Sequence, residues 1–416
     1  MSALGSSFAS KMGAAVCFIV GLTNTSQSQE ADVIHWWTSG GEKAAVRVLE
    51  KGFSDIGGKW IDLPILSPDI ARTHGIERIY EGKPPTAMQF NTGKQFDQLV
   101  ENDKLQDLNE LADSQNWRNI LPSIVVDAIT YNGNFYAAPI NIHGDNWFWI
   151  NKKIFIDNAI TIPEKYSELI EIAPELRSKG IIPLAVGAQS WQRRIVFNSV
   201  LLAEAGREVY LSVLGDNDAE TIRGKSFANA AATFRSLSKL SSDRTEVESW
   251  YQATELVMEG KVALQITGDW AKAEFLQRGF KPGEDFECII PNKEQGYILG
   301  GDVFVFPLMK SNVEKEAQQK LASIILTPEA QLAFSIAKGS IPVRTDIDTS
   351  SMDLCARRAL DIIQDQSLQV PSGPYLVPEE LNGVIDDVIS EFWNNKLMSV
   401  SEFIDNYLEV VEYFRQ

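Results

Sequence analysis

The chain is short of histidine and cysteine, with three of each in 416 residues. His35, His74 and His143 lie far from one another in sequence and from Cys17, Cys288 and Cys355. With no Cys-x-x-Cys and no His-Glu-x-x-His, the pattern argues against a zinc site, and no metal ligand is expected. Basic residues are also short: 38 Lys and Arg against 56 Asp and Glu give a formal charge of −18. No run of five Lys or Arg occurs, so the positive footprint that nucleic acid requires is missing. Signatures of catalysis are missing too. There is no Gly-x-Ser-x-Gly elbow and no Gly-x-x-x-x-Gly-Lys-Ser/Thr loop. The pairs Gly40-Gly41 and Gly300-Gly301 are too short to cradle a phosphate. No catalytic residue, metal or cofactor is therefore expected. No tandem repeat of roughly 20 to 50 residues is visible.

Long apolar runs are absent after residue 30; none reaches the roughly eighteen residues that a bilayer span needs. The first thirty residues stand apart. Lys11 is the only charge before Glu30, and Met12 to Leu22 is apolar. A polar Thr/Asn/Ser/Gln stretch follows, with a cut expected between Ser26 and Ala31. This is the outline of a secretory signal peptide, and export to the periplasm is expected. Once it is removed, Cys288 and Cys355 remain. An export compartment permits a disulfide, but sequence spacing says nothing about proximity, and two buried free thiols are the expectation.

What is present is organised around residues 33 to 43. Val33-Ile34 reads as a first strand, Trp36-Trp37 and Thr38-Ser39-Gly40-Gly41 follow, and a helix begins. Val46, Leu49, Phe53 and Ile56 recur at the spacing of one helical face. Two indoles thus sit where a strand's C-terminal end meets a helix, the edge at which open α/β sheets bind ligands. The Gly-rich turn is expected to bring backbone close to whatever is bound there. Glu42 falls in the first helical turn, where it also serves the helix dipole.

Strands and helices alternate from there: strands near 59–65 and 86–91, helices near 69–81 and 95–101. The spacing predicts mostly parallel sheets with helices on their faces. Tyr131-Asn132-Gly133-Asn134-Phe135 reads as a hairpin. Residues 140–150 read as a strand leaving a first lobe for a second, in which Ala188 to Gln192 form a strand-end loop before a helix at 195–205. Gly268-Asp269-Trp270-Ala271 repeats the strand, glycine, tryptophan, helix layout of the opening. Two lobes joined by crossing strands fit this order, with Gly144, Gly300 and Gly301 free to flex at the crossings. Trp147 and Trp149 alternate on one strand and are expected in the core.

Aromatic and polar residues cluster at the strand ends. Trp36, Trp37, Glu42, Gln89 and Asn91 come from the first part of the chain. His143, Trp191, Gln192, Trp270, Asp302 and Lys338 come later. A sugar site needs this mixture: rings that stack on the C–H faces, and carboxylates, amides and Lys that serve the hydroxyls. Two other readings fit the same residues. A secreted glycosidase would pair Glu42 with Asp302 across a scissile bond, which needs carboxylates roughly 5 to 10 Å apart. A module for a larger glycan would present an open groove.

The motifs Trp-Trp-Thr-Ser-Gly-Gly-Glu (36–42), Ala-Pro-Ile-Asn-Ile-His (138–143), Asn-Trp-Phe-Trp-Ile-Asn-Lys (146–152), Gly-Asp-Trp-Ala (268–271) and Lys-Gly-Ser-Ile-Pro-Val-Arg (338–344) occur in an order that resembles one family. It is that of the family 1 extracellular solute-binding proteins of ABC sugar importers, and the resemblance is closest to the glucose/mannose-binding branch. It implies a two-lobed α/β periplasmic-binding-protein fold of class II type, each lobe a mostly parallel sheet flanked by helices. Residues 31–141 with 303–345 would form one lobe, and 142–302 with 346–416 the other. It implies a monomer that takes a mono- or disaccharide, modified sugars included, and delivers it to a membrane permease. Trp36, Trp37, Glu42, Gln89, Asn91, Trp270, Asp302 and Lys338 match sugar contacts of the family. Two departures put the identity of the sugar in question. Asn91 stands where the glucose branch has a basic residue or His, and Pro371 to Pro378 lacks the branch's His.

Overall fold

A computed structural model describes residues 29–241 and 247–415. The expected signal peptide lies almost wholly outside the described residues. The first strand begins at Gln29 and pairs Gln29 and Glu30 with Gly58 and Lys59, so the boundary expected at residue 30 falls inside it.

Two sheets carry the molecule. The first runs in the order β2 (Gly58–Pro64), β1 (Gln29–His35), β3 (Ala87–Asn91), β13 (Asp302–Val305), β6 (Ala137–Pro139). The second runs β11 (Phe286–Ile289), β8 (Trp147–Asn151), β10 (Val262–Thr267), β9 (Ile182–Ala185). Each is parallel but for one reversed strand. β13 is antiparallel to both its neighbours, β3 and β6, and β8 to both of its own, β10 and β11. The reversed strands are the two that follow a crossing between the bodies, so they enter their sheets against the βαβ direction. Thr130–Tyr131 and Asn134–Phe135 are β4 and β5 of the expected hairpin, with Asn132 and Gly133 both at positive φ. No helix among the described residues is long and apolar enough to cross a membrane.

Local chemistry sets the elements that matter for the site. The helix Gly40–Asp55 starts with a capping box, in which Ser39 accepts from the Glu42 N–H and the Glu42 carboxylate accepts from the Ser39 N–H. Its apolar stripe, Val46, Leu49 and Phe53, is buried as the spacing predicts; Ile56 is the exposed C-cap. On β8 alternation sorts the core. Trp147 and Trp149 stack at 5.4 Å on one face, as expected, and Phe148 and Ile150 pack into a separate cluster on the other.

The crossings lie side by side. A small third sheet, β14 (Gln369–Pro371), β12 (Tyr297–Gly300) and β7 (His143–Gly144), ties three of them together. Asn141 joins two by accepting from the Asp302 N–H at 2.9 Å. Gly144, Gly300 and Gly301 all lie outside the positive-φ region. Gly144 and Gly301 are glycines for want of space. A Cβ on Gly144 would fall 1.8 Å from the Tyr297 hydroxyl, and one on Gly301 would fall 2.4 Å from the Asn141 carbonyl.

Cys288 on β11 and Cys355, at the start of the helix Leu354–Ile363, form a disulfide, with Cα atoms 6.0 Å apart. The expectation of two free thiols is corrected: both are buried, but the chain turns back after Thr345 and brings its 67-residue loop to closure on the second sheet. Closing such a loop removes entropy from the unfolded chain worth about 4 kcal/mol in the chain-entropy account. Replacing both cysteines by serine should therefore lower the unfolding free energy by about 2 to 4 kcal/mol, read from the urea midpoint at unchanged slope.

Candidate ligand-binding cleft

A cavity of about 780 Å³ opens between the bodies where the crossings lie. Nine of the eleven residues expected at the site line it; Gln89 and Gln192 do not.

At the first body's edge, Trp36 is half-buried and lines the cleft, with the Arg72 guanidinium 5.7 Å from its ring centroid. One indole face is therefore already occupied. Trp37 is mostly a core residue, packed on Phe334 at 5.2 Å and Phe304 at 5.7 Å, but its edge reaches the cleft and its indole N–H has no protein partner. Glu42 is buried. One carboxylate oxygen accepts from the Thr38 and Ser39 N–H groups, and the other lies 3.5 Å from the Lys338 ammonium. Lys338 ends the helix Pro328–Lys338, which Gly339 caps at φ 87. Its ammonium also sits 5.8 Å over the Trp270 ring.

The Gly40-Gly41 turn has a different purpose from the one expected. A Cβ on Gly41 would lie 2.3 Å from the Ala273 Cβ of the helix Ala271–Gln277, and the Gly41 N–H donates to the Glu274 carboxylate at 3.0 Å. The close approach is to the second body, not to a ligand.

At the floor, Asp302 accepts from Gln89 at 2.9 Å and Asn141 at 3.2 Å, and meets His143 Nε2 at 2.9 Å. Gln89 is thus buried behind the cleft; it also accepts the Trp36 N–H and fixes both neighbours. Asn91, paired with Asp302 across the ladder, is half-buried on the cleft wall. The other ring nitrogen of His143 contacts Asp269, which also accepts the Gly144 N–H. Burial works most strongly against a charged His143, but the Asp269 charge, the Asp302 charge and the Asp269 hydrogen bond together outweigh it and the repulsion of Lys338, and push the imidazolium pKa up to about 9. Burial likewise opposes ionised Asp302. The His143 charge and hydrogen bond overcome that, with Lys338 and Gln89, and hold the carboxyl below its ordinary range.

The second body's aromatic wall centres on Trp270. His143 meets its ring edge-on at 5.2 Å, Trp191 packs at 5.9 Å and Trp250 at 6.5 Å. Trp191 and Gln192, expected in a loop, lie in the first turn of the helix Ser190–Leu214. There the Gln192 side chain turns back to accept from the Gly187 N–H at 3.1 Å and donate to Gln189, which takes it out of the cleft.

Several cleft residues escaped sequence reading. Arg72 bridges Asp69 and Glu379. Arg194 and Asp386 form a buried ion pair at 2.6 Å. Asp145 lines the cavity, and burial pushes its carboxyl up to about 7 against the pull of the His143 and Arg194 charges. Asp145, two residues beyond His143, is the one with a local signal; the rest lie on helices whose facing is set by packing.

The arrangement suits binding better than hydrolysis. Glu42 and Asp302 both already accept protein donors, and Asp302, held ionised, is a poor proton donor to a leaving group.

The model of the family of bacterial extracellular solute-binding proteins matches residues 77–353. A probable sugar-binding periplasmic protein of Brucella melitensis is 32% identical over 401 residues, which cover 93% of this chain and 94% of that one. A protein of the same description from Rhizobium meliloti is 30% identical over 408 residues, covering 96% and 97%. Among solved structures, the bacterial solute receptor AcbH, described as preferring β-D-galactopyranose, superposes with a TM-score of 0.80 at 13% identity. That alignment covers 93% of this chain and 98% of the receptor, and shares the two-lobed fold.

The His143 geometry has a measurable consequence. A folded pKa raised above the ordinary value near 6.5 stabilises the fold fully below that value, and the contribution is lost as pH rises through about 9. An NMR titration should show the His143 imidazole keeping its proton to about pH 9. His143→Gln should flatten the fall in melting temperature between roughly pH 7 and 9.5.

Proposed function

Because the chain belongs to the bacterial extracellular solute-binding proteins, and among them to the ABC sugar-binding proteins of family 1, we propose that it captures a sugar between two closing lobes and hands it to a membrane permease, with no covalent chemistry of its own. The names of its relatives place the family's sugar binders in the periplasm; we read residues 1 to about 28 as the export signal. We take residues 31–141 with 303–345 as one lobe and 142–302 with 346–416 as the other. The Thr345 N–H bonded to the Ile120 carbonyl and the disulfide at Cys355 support a boundary between them.

The observation that carries this reading is the meeting of Trp270, Asp302 and Lys338 around one cavity, each from a different segment of the chain. Trp270 offers a ring face, Asp302 a fixed anionic acceptor and Lys338 a donor, which together match a sugar's C–H face and its hydroxyls. Parts of one site on two bodies make closure the natural response: ligand favours the state in which it touches both. An Asp302 held ionised disfavours the glycosidase alternative, which needs a proton donor. A cavity between lobes disfavours an open groove for a larger glycan.

A thermal-shift screen of the mature protein against mono-, di- and modified sugars should find a ligand that raises the melting temperature by mass action. With that ligand, Trp270→Ala should weaken binding by about 1 to 3 kcal/mol, as hot-spot aromatics do. Asp302→Ala should weaken it by about 1.5 to 3 kcal/mol, the range of charged hydrogen bonds. Calorimetry reads both, and unchanged affinity would refute the assignment. Saturating ligand should also shrink the radius of gyration in solution scattering; identical profiles would refute lobe closure.

A further inference from the structure

Two helices face each other across one side of the cleft, Pro68–Tyr80 from the first body and Glu379–Asn394 from the second. Their cavity-lining residues carry four carboxylates, Asp69, Glu379, Asp386 and Asp387, and one cation, Arg72. A second cation, Arg194, comes from the helix Ser190–Leu214 and is engaged by Asp386 within its own body. Arg72 spans the gap. Its guanidinium meets Asp69 of its own helix and Glu379 of the other body, both at 2.5 Å. The Arg72 side chain is only 9% exposed, against 75% for Asp69 and 36% for Glu379. The guanidinium therefore lies between the bodies, 5.7 Å from the Trp36 ring centroid, rather than out along its own helix.

Without Arg72 these two helices would bring only carboxylates together. Their repulsion reaches across the gap. Burial pushes the Asp386 carboxyl up to about 6 against the Arg194 charge and hydrogen bond, and Glu379 and Asp69, one from each body, add to the rise. Like charges on two bodies favour separation, over a range of about 10 Å at roughly 0.1 M salt. The Arg72 guanidinium reverses the sign of that force. Two amides add to the contact, again from the first body to the second: Gln95 donates to Glu379 at 2.7 Å and Gln98 to Glu380 at 2.5 Å. Glu379 and Glu380 lie in the first turn of their helix, where its dipole favours negative charge. An ion pair of this exposure contributes little by itself. That suits a contact which must break and re-form each time the bodies part.

We propose that Arg72 and Glu379 form an electrostatic latch, a positioning pair that draws the two bodies toward the closed state before any ligand arrives. The pair acts through the position of the bodies rather than through contact with a sugar. The proposal rests on the lobe-closure reading above and goes beyond it by naming the contact that sets the balance between open and closed. A ligand held by the closed state inherits that balance, because its apparent affinity scales with the fraction of protein already competent to bind.

The test is solution scattering on the sugar-free mature chain, followed by calorimetry. Arg72→Glu, which leaves only carboxylates across the gap, should enlarge the radius of gyration. Combining Arg72→Glu with Glu379→Arg restores the pair in reverse and should return the wild-type radius. Raising sodium chloride from about 0.05 to about 0.5 M should expand the wild type and contract Arg72→Glu, because salt screens attraction in one and repulsion in the other. Calorimetry then uses whichever of glucose, galactose, xylose and maltose raises the melting temperature most. Arg72→Glu should bind that sugar about three- to tenfold more weakly, and the swapped pair should regain the affinity. Circular dichroism and melting curves establish that each variant folds. Arg72→Gln, which removes the cation without adding a charge, should shift radius and affinity the same way and stands in if Arg72→Glu does not fold. One radius for all variants overturns the latch. So does an expansion that the swap leaves in place, or a loss of affinity that it does not reverse, which would make Arg72 a direct sugar contact. If none of the four sugars binds, the sugar reading fails for them, and scattering alone decides the latch.

Discussion

The buried chain Asp269–His143–Asp302 is the interaction on which the site and its hinge both depend. His143 lies in one crossing, Asp302 opens the strand that follows another, and Asp269 lies in the turn after a strand of the second sheet. One imidazolium thus links two crossings to the second body. Two carboxylates and one cation so far from water are expensive unless each is paired and hydrogen-bonded. Here they are: Gln89 and Asn141 donate to Asp302, and the Gly144 N–H donates to Asp269. Remove the cation and two anions face each other in a dry place. The same arrangement keeps Asp302 ionised and fixed in orientation at the cleft floor, so a ligand meets an acceptor whose ordering has already been met by the fold.

Around that centre the bodies touch on either side of the cleft by different means. On one side the backbone itself is the surface. Gly41 lies against Ala273, and Gly339 against the Asp269 carbonyl, with the Gly41 N–H held by Glu274. On the other side the contact is polar and made by long side chains: Arg72 and Gln95 reach Glu379, and Gln98 reaches Glu380. The first kind tolerates no added atom. The second can lengthen or exchange with water at little cost, since partly exposed ion pairs contribute little. The proposed closure needs contacts of the second kind on at least one side.

Much of this was legible along the chain because it rests on local rules. The Ser39–Glu42 capping box, the hairpin at Asn132-Gly133, the alternation of Trp147 and Trp149 and the helical stripe after Gly41 are each set by residues within a few positions. The strand-end residues Trp36 and Trp270 were legible for a related reason: the end of a parallel strand is where a sheet presents side chains to a ligand. Arg194 and Arg72 were not. They sit on helices whose facing is decided by what packs behind them, and nothing in their own neighbourhood distinguishes a cleft-lining Arg from a solvated one.

By itself the amino-acid order determined the elements, their alternation into α/β units, and the gathering of aromatic and polar groups at strand ends. The tertiary structure alone decided the pairings that span long stretches of chain. It joined Cys288 to Cys355 across 67 residues and set His143 between carboxylates from two other segments. It turned Gln192 inward onto Gly187 while leaving Trp191 at the cleft. It also gave Gly41, Gly144 and Gly301 their reason, which is the nearness of another chain segment rather than freedom of φ. The physical ground is the same throughout. Local dihedral and periodicity preferences act over a few residues, whereas proximity across the chain is the outcome of burying both sheets at once.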